Sequence, residues 1–308
     1  MSNSVKHLNK SAKDALELSL EKRIEYVRRE RWIGYERALD ILEMLEDLLT
    51  HPKTHRMPNL LLVGDTNNGK TTIINRFQSK YPPHDNAEGD TIIMPVLIVR
   101  VPPVPDEGRF YDQILRKLGA PFRESDKPSK KQFQVMTLFE RLQILMLIID
   151  EIHDILAGGL VHQRNFRNAI KHLGNELKIP IVGSGIHEAF NAIQSDPELS
   201  NRFKPVLLPK WKINDGVKPE KDPYLRLLSS FERMLPLAKP SNLSEKGMAL
   251  KLLSMSEGLI GELSEILRLA AVKAIKSKKE MIDLQILTQI RWVPPSERKW
   301  KLQTPSAG

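Results

Sequence analysis

The chain has 308 residues, of which 41% are hydrophobic and 28% are charged. A chain of this length has room for one large domain or two smaller ones. The sequence contains no cysteine, which excludes disulfide bonds, thiolate zinc sites and cysteine nucleophiles. No apolar run approaches the roughly 18 residues that cross a bilayer, so we expect a soluble cytoplasmic protein with no membrane partner. The formal net charge of +9 favours a polyanionic partner, without showing where the charge lies.

The first predicted elements are helices within residues 12–49, where apolar residues such as Ala38, Ile41 and Leu45 recur at helical spacing. The pair His51-Pro52 ends this helical stretch. Short apolar strands then alternate with helices, a pattern typical of a parallel sheet that helices cover on both faces. Five strands are predicted, at residues 59–63, 92–101, 145–149, 179–183 and 206–208, and residues 121–131 are predicted to form a polar loop.

The pattern changes in the last third of the chain, where residues 224–290 show helical periodicity and no convincing strand. We therefore predict an α/β fold with a phosphate-binding core built on a five-stranded parallel sheet. The expected segments are an N-terminal helical segment at 1–50, the core at 51–212, a C-terminal helical lid at 213–290 and a basic, proline-containing tail at 291–308. Such a tail could dock a partner, although most terminal tails have no specific role.

Residues 64–71 read Gly-Asp-Thr-Asn-Asn-Gly-Lys-Thr and match the pattern G-x-x-x-x-G-K-[ST] at every defined position. We call this segment the phosphate loop. Gly64 and Gly69 allow the backbone N–H groups to converge on phosphate oxygens, Lys70 is a point charge for the β- and γ-phosphates, and the Thr71 hydroxyl is a magnesium ligand. The predicted cofactors are ATP and Mg²⁺, and the predicted nucleotide-contacting residues are Gly64, Asp65, Thr66, Asn67, Asn68, Gly69, Lys70, Thr71 and Thr72.

The third predicted strand ends in two acids, Asp150 and Glu151. A parallel sheet binds its ligand at the carboxyl ends of its strands, so Asp150 is expected to hold magnesium through water and Glu151 to polarise the attacking water. The second acid favours hydrolysis over phosphoryl transfer to a metabolite. Such a pair alone is weak evidence, and the phosphate loop upstream is what gives it weight.

Two further residues are candidates near the nucleotide. Ser184 follows the fourth strand and could sense the γ-phosphate, although a serine in a turn is an equal alternative. Arg202 precedes the last strand and could reach the ATP of a neighbouring subunit, the alternative being an arginine that caps a helix end. Four of the eight histidines form no metal-binding pattern and are interpreted as ordinary surface or packing residues; they are His153, His162, His172 and His187.

With these motifs, the sequence resembles the AAA+ ATPases and, within them, the TniB/TnsC family of transposition regulators, over residues 20–275. The segments that carry the resemblance are 56–64, Asp150-Glu151-Ile152-His153 followed by Gly158-Gly159, 174–183, 195–203 and 208–211. The resemblance implies a homo-oligomer, a ring or a helical filament, that forms on double-stranded DNA with ATP bound. It also implies that the protein links a target selector of TniQ type to a DDE transposase and that hydrolysis disassembles it.

The same resemblance assigns roles to individual residues. Lys70 and Thr71 would hold ATP and magnesium, Asp150 and Glu151 would hydrolyse ATP, and Arg202 would be the arginine finger. Tyr35, in the segment Trp32-Ile33-Gly34-Tyr35, would cover the adenine. The sequence departs from the family where many lids carry an arginine, since the turn reads Gly258-Leu259-Ile260-Gly261. Ser184 stands where the family often has a threonine. Both departures suggest slow hydrolysis.

For DNA contacts, the first candidates are Lys127, Lys130 and Lys131 in the basic stretch 123–131, because loops of this region face the central channel of AAA+ rings. A second candidate group consists of Lys273, Lys276, Lys278 and Lys279. Solvated lysines are an equal alternative for either group. The alternative functions are another DNA-associated AAA+ ATPase, such as a helicase loader or replication initiator, a nucleotide-gated scaffold without turnover, and a small-molecule kinase.

Overall fold

The structure is a computed structural model that describes residues 5–87, 89–214 and 217–301. The chain divides into two compact units. The core unit is Arg37–Pro209, and the helical unit joins the residues up to Glu36 to those from Lys210 onward. The four segments expected from the sequence remain a prediction about domains, and residues 302–308 of the expected tail lie outside the described residues.

The elements follow one another in this order: α1 (Lys10–Leu16), α2 (Leu20–Arg28), α3 (Glu36–Leu49), β1 (Asn59–Gly64), α4 (Lys70–Lys80), β2 (His84–Asp85), β3 (Ile92–Ile93), β4 (Val96–Arg100), α5 (Glu107–Lys117), α6 (Pro128–Arg141), β5 (Met146–Asp150), a 3-10 turn (Ile152–Ala157), α7 (Leu160–Leu177), β6 (Ile181–Gly185), α8 (Ala189–Gln194), α9 (Pro197–Ser200), β7 (Phe203–Leu208), a second 3-10 turn (Pro219–Lys221), α10 (Pro223–Met234), α11 (Lys246–Ser256), α12 (Ile260–Lys276), α13 (Leu284–Gln289) and α14 (Pro295–Lys301).

The core unit contains a five-stranded sheet in the order β4-β5-β6-β1-β7, and every neighbouring pair is parallel. Every residue of β1, β5 and β6 is buried, because helices cover both faces of a parallel sheet. The prediction of five parallel strands is confirmed. Since β6 lies between β5 and β1, the ends of these three strands meet at one edge of the sheet.

The strand predicted at residues 92–101 is interrupted. Ile92–Ile93 pairs antiparallel with His84–Asp85 in a separate two-stranded ribbon, and only Val96–Arg100 enters the large sheet. Pro95 lies at the break, and it has no N–H to donate to a neighbouring strand. Its carbonyl accepts hydrogen bonds from the backbone N–H groups of Leu145 and Met146, at 2.9 and 3.1 Å.

The polar loop predicted at residues 121–131 is wrong for its last four residues, which open α6. Proline is favoured in the first turn of a helix, since its missing N–H has no helical partner there, and Pro128 begins this helix after Lys127. Lys130 and Lys131 therefore lie in the first turn of α6, and the helix fixes the direction of each side chain.

The helical unit buries the apolar faces of α2, α10, α11 and α12 in one cluster, which includes Ile24 and Val27 from the N-terminal part of the chain. Within the helical unit, Arg23 of α2 connects the N-terminal segment to the C-terminal segment. It forms an ion pair with Glu280, and its Nε donates a hydrogen bond to the carbonyl of Pro236 at 2.8 Å. Among the described residues, no helix is both long and apolar enough to cross a membrane.

Gly258, in the turn between α11 and α12, lies against the backbone of Trp211. Its φ is +74°, and a Cβ at this position would stand 2.4 Å from the Trp211 carbonyl oxygen. The Gly258 carbonyl accepts a hydrogen bond from the Trp211 N–H at 2.8 Å. The turn therefore requires glycine both for its left-handed conformation and for this close approach.

We predict that Gly258→Ala destabilises the protein by more than about 2 kcal/mol, since left-handed backbone alone costs about 1–2 kcal/mol and the overlap with a backbone oxygen adds to it. Gly247→Ala in α11 is the matched control, because a Cβ there meets nothing within 4 Å. The control should be neutral or stabilising by up to about 1 kcal/mol. Urea denaturation measures both, and equal stabilities of the two variants would contradict the prediction.

Candidate nucleotide site

The phosphate loop connects β1 to α4 and is held against the end of β7. A Cβ on Gly64 would lie 2.8 Å from the Leu208 carbonyl oxygen, so no side chain fits there. The amide of Asn68, which is 1% exposed, donates hydrogen bonds to the carbonyls of Leu208 and Pro209 at 2.8 and 3.1 Å. Gly69 has a φ of 89° and leads directly into α4, whose N–H groups therefore open toward the loop.

Lys70 is buried within this loop. Its Nζ donates to the carbonyls of Gly64 and Asp65, at 2.8 and 2.9 Å. Burial lowers the pKa of Lys70, and the negative charges of Glu151, Asp150 and Asp65 oppose that shift. The Lys70 ammonium group is thus enclosed by loop backbone. Its hydrogen bonds to described residues go to two neutral carbonyls, which a phosphate oxygen could replace.

Thr71 and Asp150 meet at the edge of the sheet. The Thr71 hydroxyl donates to Asp150 Oδ2 at 3.0 Å, and Asp150 Oδ1 accepts from the Glu151 N–H at 3.1 Å. A hydroxyl beside a carboxylate is an oxygen donor pair that suits Mg²⁺. Within the described part of the chain, no three His, Asp or Glu side chains form a metal site of their own, so a cation at this pair needs oxygens from its ligand and from water.

Glu151 is the first residue after β5 and has left-handed backbone, with φ at 55° and ψ at 42°. A non-glycine residue rarely adopts this conformation, and such residues concentrate at functional sites. The conformation turns the chain from the strand into the 3-10 turn. The side chain of Glu151 stays 26% exposed, so its carboxylate can reach solvent.

Ser184 lies on β6, between the strands that carry Asp150 and the phosphate loop. It is fully buried, and its hydroxyl has no hydrogen-bond partner among the described residues. Buried hydroxyls are almost always paired, and the role of Ser184 toward the γ-phosphate stays a prediction.

Arg202 is bonded within its own subunit. Its Nη1 donates to Asn175 Oδ1 at 2.5 Å and its Nη2 to Glu198 Oε1 at 2.7 Å. The side chain is 12% exposed. The pairing with Glu198, four residues earlier, is the helix-end contact expected of a structural arginine, and a role toward a neighbouring subunit requires this pair to open.

Tyr35 belongs to the helical unit, where its ring packs edge-on against Trp211 with centroids 5.0 Å apart. The adenine-covering role of Tyr35 stays a prediction. In the second lysine group, Lys273, Lys276 and Lys278 are exposed, and Lys279 is ion-paired with Asp283.

The three lysines predicted to contact DNA differ in their surroundings. Lys127 is exposed, and Lys130 is exposed but paired with Asp126 at 2.8 Å. Lys131 is buried and ion-paired with Asp112 at 2.7 Å. This burial does not favour a DNA contact by Lys131, because the side chain contacts Asp112 of α5, and the DNA contact of Lys131 stays a prediction.

His153 is the residue at this site that the sequence analysis missed. It was interpreted as a surface or packing histidine, yet its Nδ1 lies 3.3 Å from Glu151 Oε2. Its position two residues after the acid pair could have drawn attention to it. Position in the sequence is only a weak signal. The space for the ring depends on Gly185, which lies on another strand, and the local sequence around His153 does not show it.

The fold is similar to solved AAA+ structures from archaea. The Aeropyrum pernix ORC2 protein in its ADPNP and ADP complexes shares 15% identity over 85% of this chain and 69% of that chain, with a TM-score of 0.58. Cdc6p from Pyrobaculum aerophilum shares 14% identity over 84% and 68%, with a TM-score of 0.58. The Aeropyrum pernix ORC1 protein in complex with DNA shares 14% identity over 86% and 67%, with a TM-score of 0.55. These likenesses show the fold alone.

No curated protein matches the sequence significantly. The family described as "Bacterial TniB protein" matches residues 23–213, which is more than half of the chain. The matched segment spans the whole core unit, Arg37–Pro209, and so includes the phosphate loop, the acid pair and Arg202. With its AAA+ fold, the chain belongs to the TniB family.

Proposed function

We propose that this protein binds ATP with Mg²⁺ at the phosphate loop and hydrolyses it with Glu151 as an ATP-dependent regulator of DNA transposition. The observation that carries the proposal is the convergence of three groups at one sheet edge. These groups are the buried ammonium of Lys70, the bonded pair Thr71–Asp150 and the carboxylate of Glu151, and they follow or end β1 and β5, the two strands on either side of β6.

The residues fit the proposed cofactors. Lys70 would exchange its bonds to the carbonyls of Gly64 and Asp65 for bonds to phosphate oxygens, which satisfies its charge better than neutral acceptors do. The N-terminus of α4 adds N–H groups and the positive end of the helix dipole. Thr71 and Asp150 would hold Mg²⁺, which supplies neutralisation of the phosphate charge when bound.

Glu151 would orient the attacking water. Glu151 directly follows Asp150, and its side chain remains partly exposed, so its carboxylate can accept a hydrogen bond from a water molecule at the sheet edge. Ser184 would donate its unpaired hydroxyl to the γ-phosphate. A phosphotransferase acting on a metabolite has no evident use for a base at this position, and this favours hydrolysis.

Arg202 would act in a neighbouring subunit of a ring or filament. The guanidinium is preformed and partly buried, and its Nε has no hydrogen-bond partner. Release from Glu198 would let it add positive charge to the transition state in the next subunit. Slow hydrolysis is consistent with the turn Gly258-Leu259-Ile260-Gly261, where an arginine is frequent in other AAA+ lids.

Double-stranded DNA, a DDE transposase and a target selector of TniQ type are the proposed partners in the cytoplasm. Family membership supports transposition, and the net charge of +9 supports a polyanionic partner. Lys127 and Lys130 are the proposed phosphate contacts in the core unit, because both side chains are exposed.

Glu151→Gln should reduce the steady-state rate of ATP hydrolysis about 100-fold or more, because it removes the water-orienting base while keeping the size of the side chain. Nucleotide affinity, measured with a fluorescent ATP analogue, should remain. Glu176→Gln on the exposed face of α7 is the control. The assay is run with and without double-stranded DNA, since we expect DNA to stimulate a slow wild-type rate. Unchanged turnover in Glu151→Gln would remove Glu151 from the mechanism.

Replacing Lys127 and Lys130 by Glu should weaken binding to DNA of any sequence and lower the slope of log K against log salt by about one for each phosphate that is no longer neutralised. The control is the double variant Lys53→Glu, Lys204→Glu, which changes the net charge equally at two other exposed positions. Lys131 is left intact, because Glu beside Asp112 would destabilise the core. Equal weakening in both double variants would mean that net charge, and not this surface, sets affinity.

Arg202→Ala should lower ATP hydrolysis but leave nucleotide affinity unchanged, because the proposed contact forms only in the transition state of a neighbouring subunit. Mixing Arg202→Ala with Lys70→Ala should restore part of the activity, since each variant supplies the group that the other lacks. The absence of recovery in mixed oligomers on DNA would argue for a purely structural arginine.

A further inference from the structure

His153 lies beside the proposed water-orienting residue, in the 3-10 turn that follows it. Its Nδ1 is 3.3 Å from Glu151 Oε2, and its Nε2 is 3.7 Å from Asp154 Oδ1. The ring is largely enclosed, with 18% of the side chain exposed. Of its two carboxylate neighbours, only Glu151 lies at the sheet edge with Asp150.

Among the described residues, the Nδ1 atom of His153 is buried and has no hydrogen-bond partner, although Glu151 Oε2 lies 3.3 Å away. Buried ring nitrogens are normally paired. In the tautomer that carries its proton on Nδ1, the ring has an N–H that can donate to this oxygen once the two groups align. Within the described residues, no other side chain donates a hydrogen bond to the Glu151 carboxylate.

The end of β6 provides the space for this ring. A Cβ on Gly185 would lie 3.0 Å from His153 Nδ1 and 3.0 Å from the Ala189 Cβ. In the same way, a Cβ on Gly183 would lie 2.9 Å from the Ile152 side chain. The two glycines therefore admit two consecutive side chains of the turn, and a side chain at residue 185 would force the ring, or Ala189, to shift by a few tenths of an ångström.

A hydrogen-bond donor beside Glu151 would orient its carboxylate, which extends from the start of the 3-10 turn. Its backbone is left-handed at the start of the turn, and its side chain is 26% exposed, so packing alone does not restrict the carboxylate to one position. A carboxylate that orients water works only in a narrow range of positions. A donor fixed on one of its oxygens leaves the other for water.

We propose that His153 is a positioning residue for ATP hydrolysis, which holds the Glu151 carboxylate through Oε2 and is itself held in place by the absence of a side chain at Gly185. This inference rests on the proposed function, and it deepens it by naming the residue that aligns the base.

The first test compares His153→Ala with His153→Asn. The Asn amide can donate from near the position of Nδ1, whereas Ala removes the donor. We expect His153→Ala to lower kcat for ATP by about 10- to 100-fold, the usual effect of losing an orienting partner, with KM unchanged. His153→Asn should restore most of kcat. Equal kcat in wild type and His153→Ala, or an equal decrease in both variants, would overturn the proposal.

The second test displaces the ring without changing its chemistry. Gly185→Ala should lower kcat in the same way as His153→Ala, and it should have little further effect in the His153→Ala background. Gly159→Ala is the control, because a Cβ there meets nothing within 4 Å. If Gly185→Ala keeps full kcat, or if its effect multiplies with that of His153→Ala, the ring does not act from this position.

The third test needs no nucleotide. A double-mutant cycle of Glu151→Gln and His153→Ala, followed by urea denaturation of the nucleotide-free protein, should be non-additive by at least about twofold in the unfolding constant. Additive effects would overturn the contact between the two side chains. If the cycle shows coupling while the wild type shows no turnover on DNA, the proposed function fails, and the positioning role in hydrolysis fails with it.

Discussion

The site depends on a steric constraint at the end of the central strand β6. There β6 packs closely against β1, the 3-10 turn after Glu151 and α8. β6 lies between the strands that carry Asp150 and the phosphate loop, so the Thr71–Asp150 hydrogen bond must pass across its end. Its last residues are Gly183, Ser184 and Gly185. Side chains at Gly183 and Gly185 would contact Ile152 and His153 of the turn that follows Glu151 at 2.9 and 3.0 Å. The geometry of the proposed site is therefore set as much by missing side chains as by those present.

The sheet and the phosphate loop could be predicted because their signals are local. A short apolar run bounded by turn residues identifies a buried strand wherever it occurs, and the loop pattern carries its own chemistry. Contacts between distant segments could not be predicted in this way. The packing of Ile24 and Val27 against the C-terminal helices depends on which apolar faces meet in three dimensions. Similarly, α6 begins at Pro128 inside a stretch whose composition is that of a loop.

In the candidate site, too, the residues that belong to local motifs could be predicted, and those that depend on contacts between distant segments could not. Lys70, Thr71 and Asp150 occupy positions that the motifs define, and the structure brings them within hydrogen-bonding distance of their expected neighbours. His153 could not be assigned from sequence because its surroundings include Gly185, which belongs to another strand. The burial of Lys131 could not be predicted either, since its basic neighbours suggested an exposed surface, whereas its side chain pairs with Asp112 in α5. The charge of a side chain indicates which ligands it could bind, but the side chain must also be exposed to reach them.

The attachment of the phosphate loop to β7 has a mechanical consequence. Asn68 holds the carbonyls of Leu208 and Pro209, and Gly64 touches the same backbone, so the loop cannot shift without breaking these bonds or carrying the end of β7 with it. Pro209 is the last residue of the core unit. The two hydrogen bonds that set the shape of the loop thus also fix the point from which the chain leaves the core.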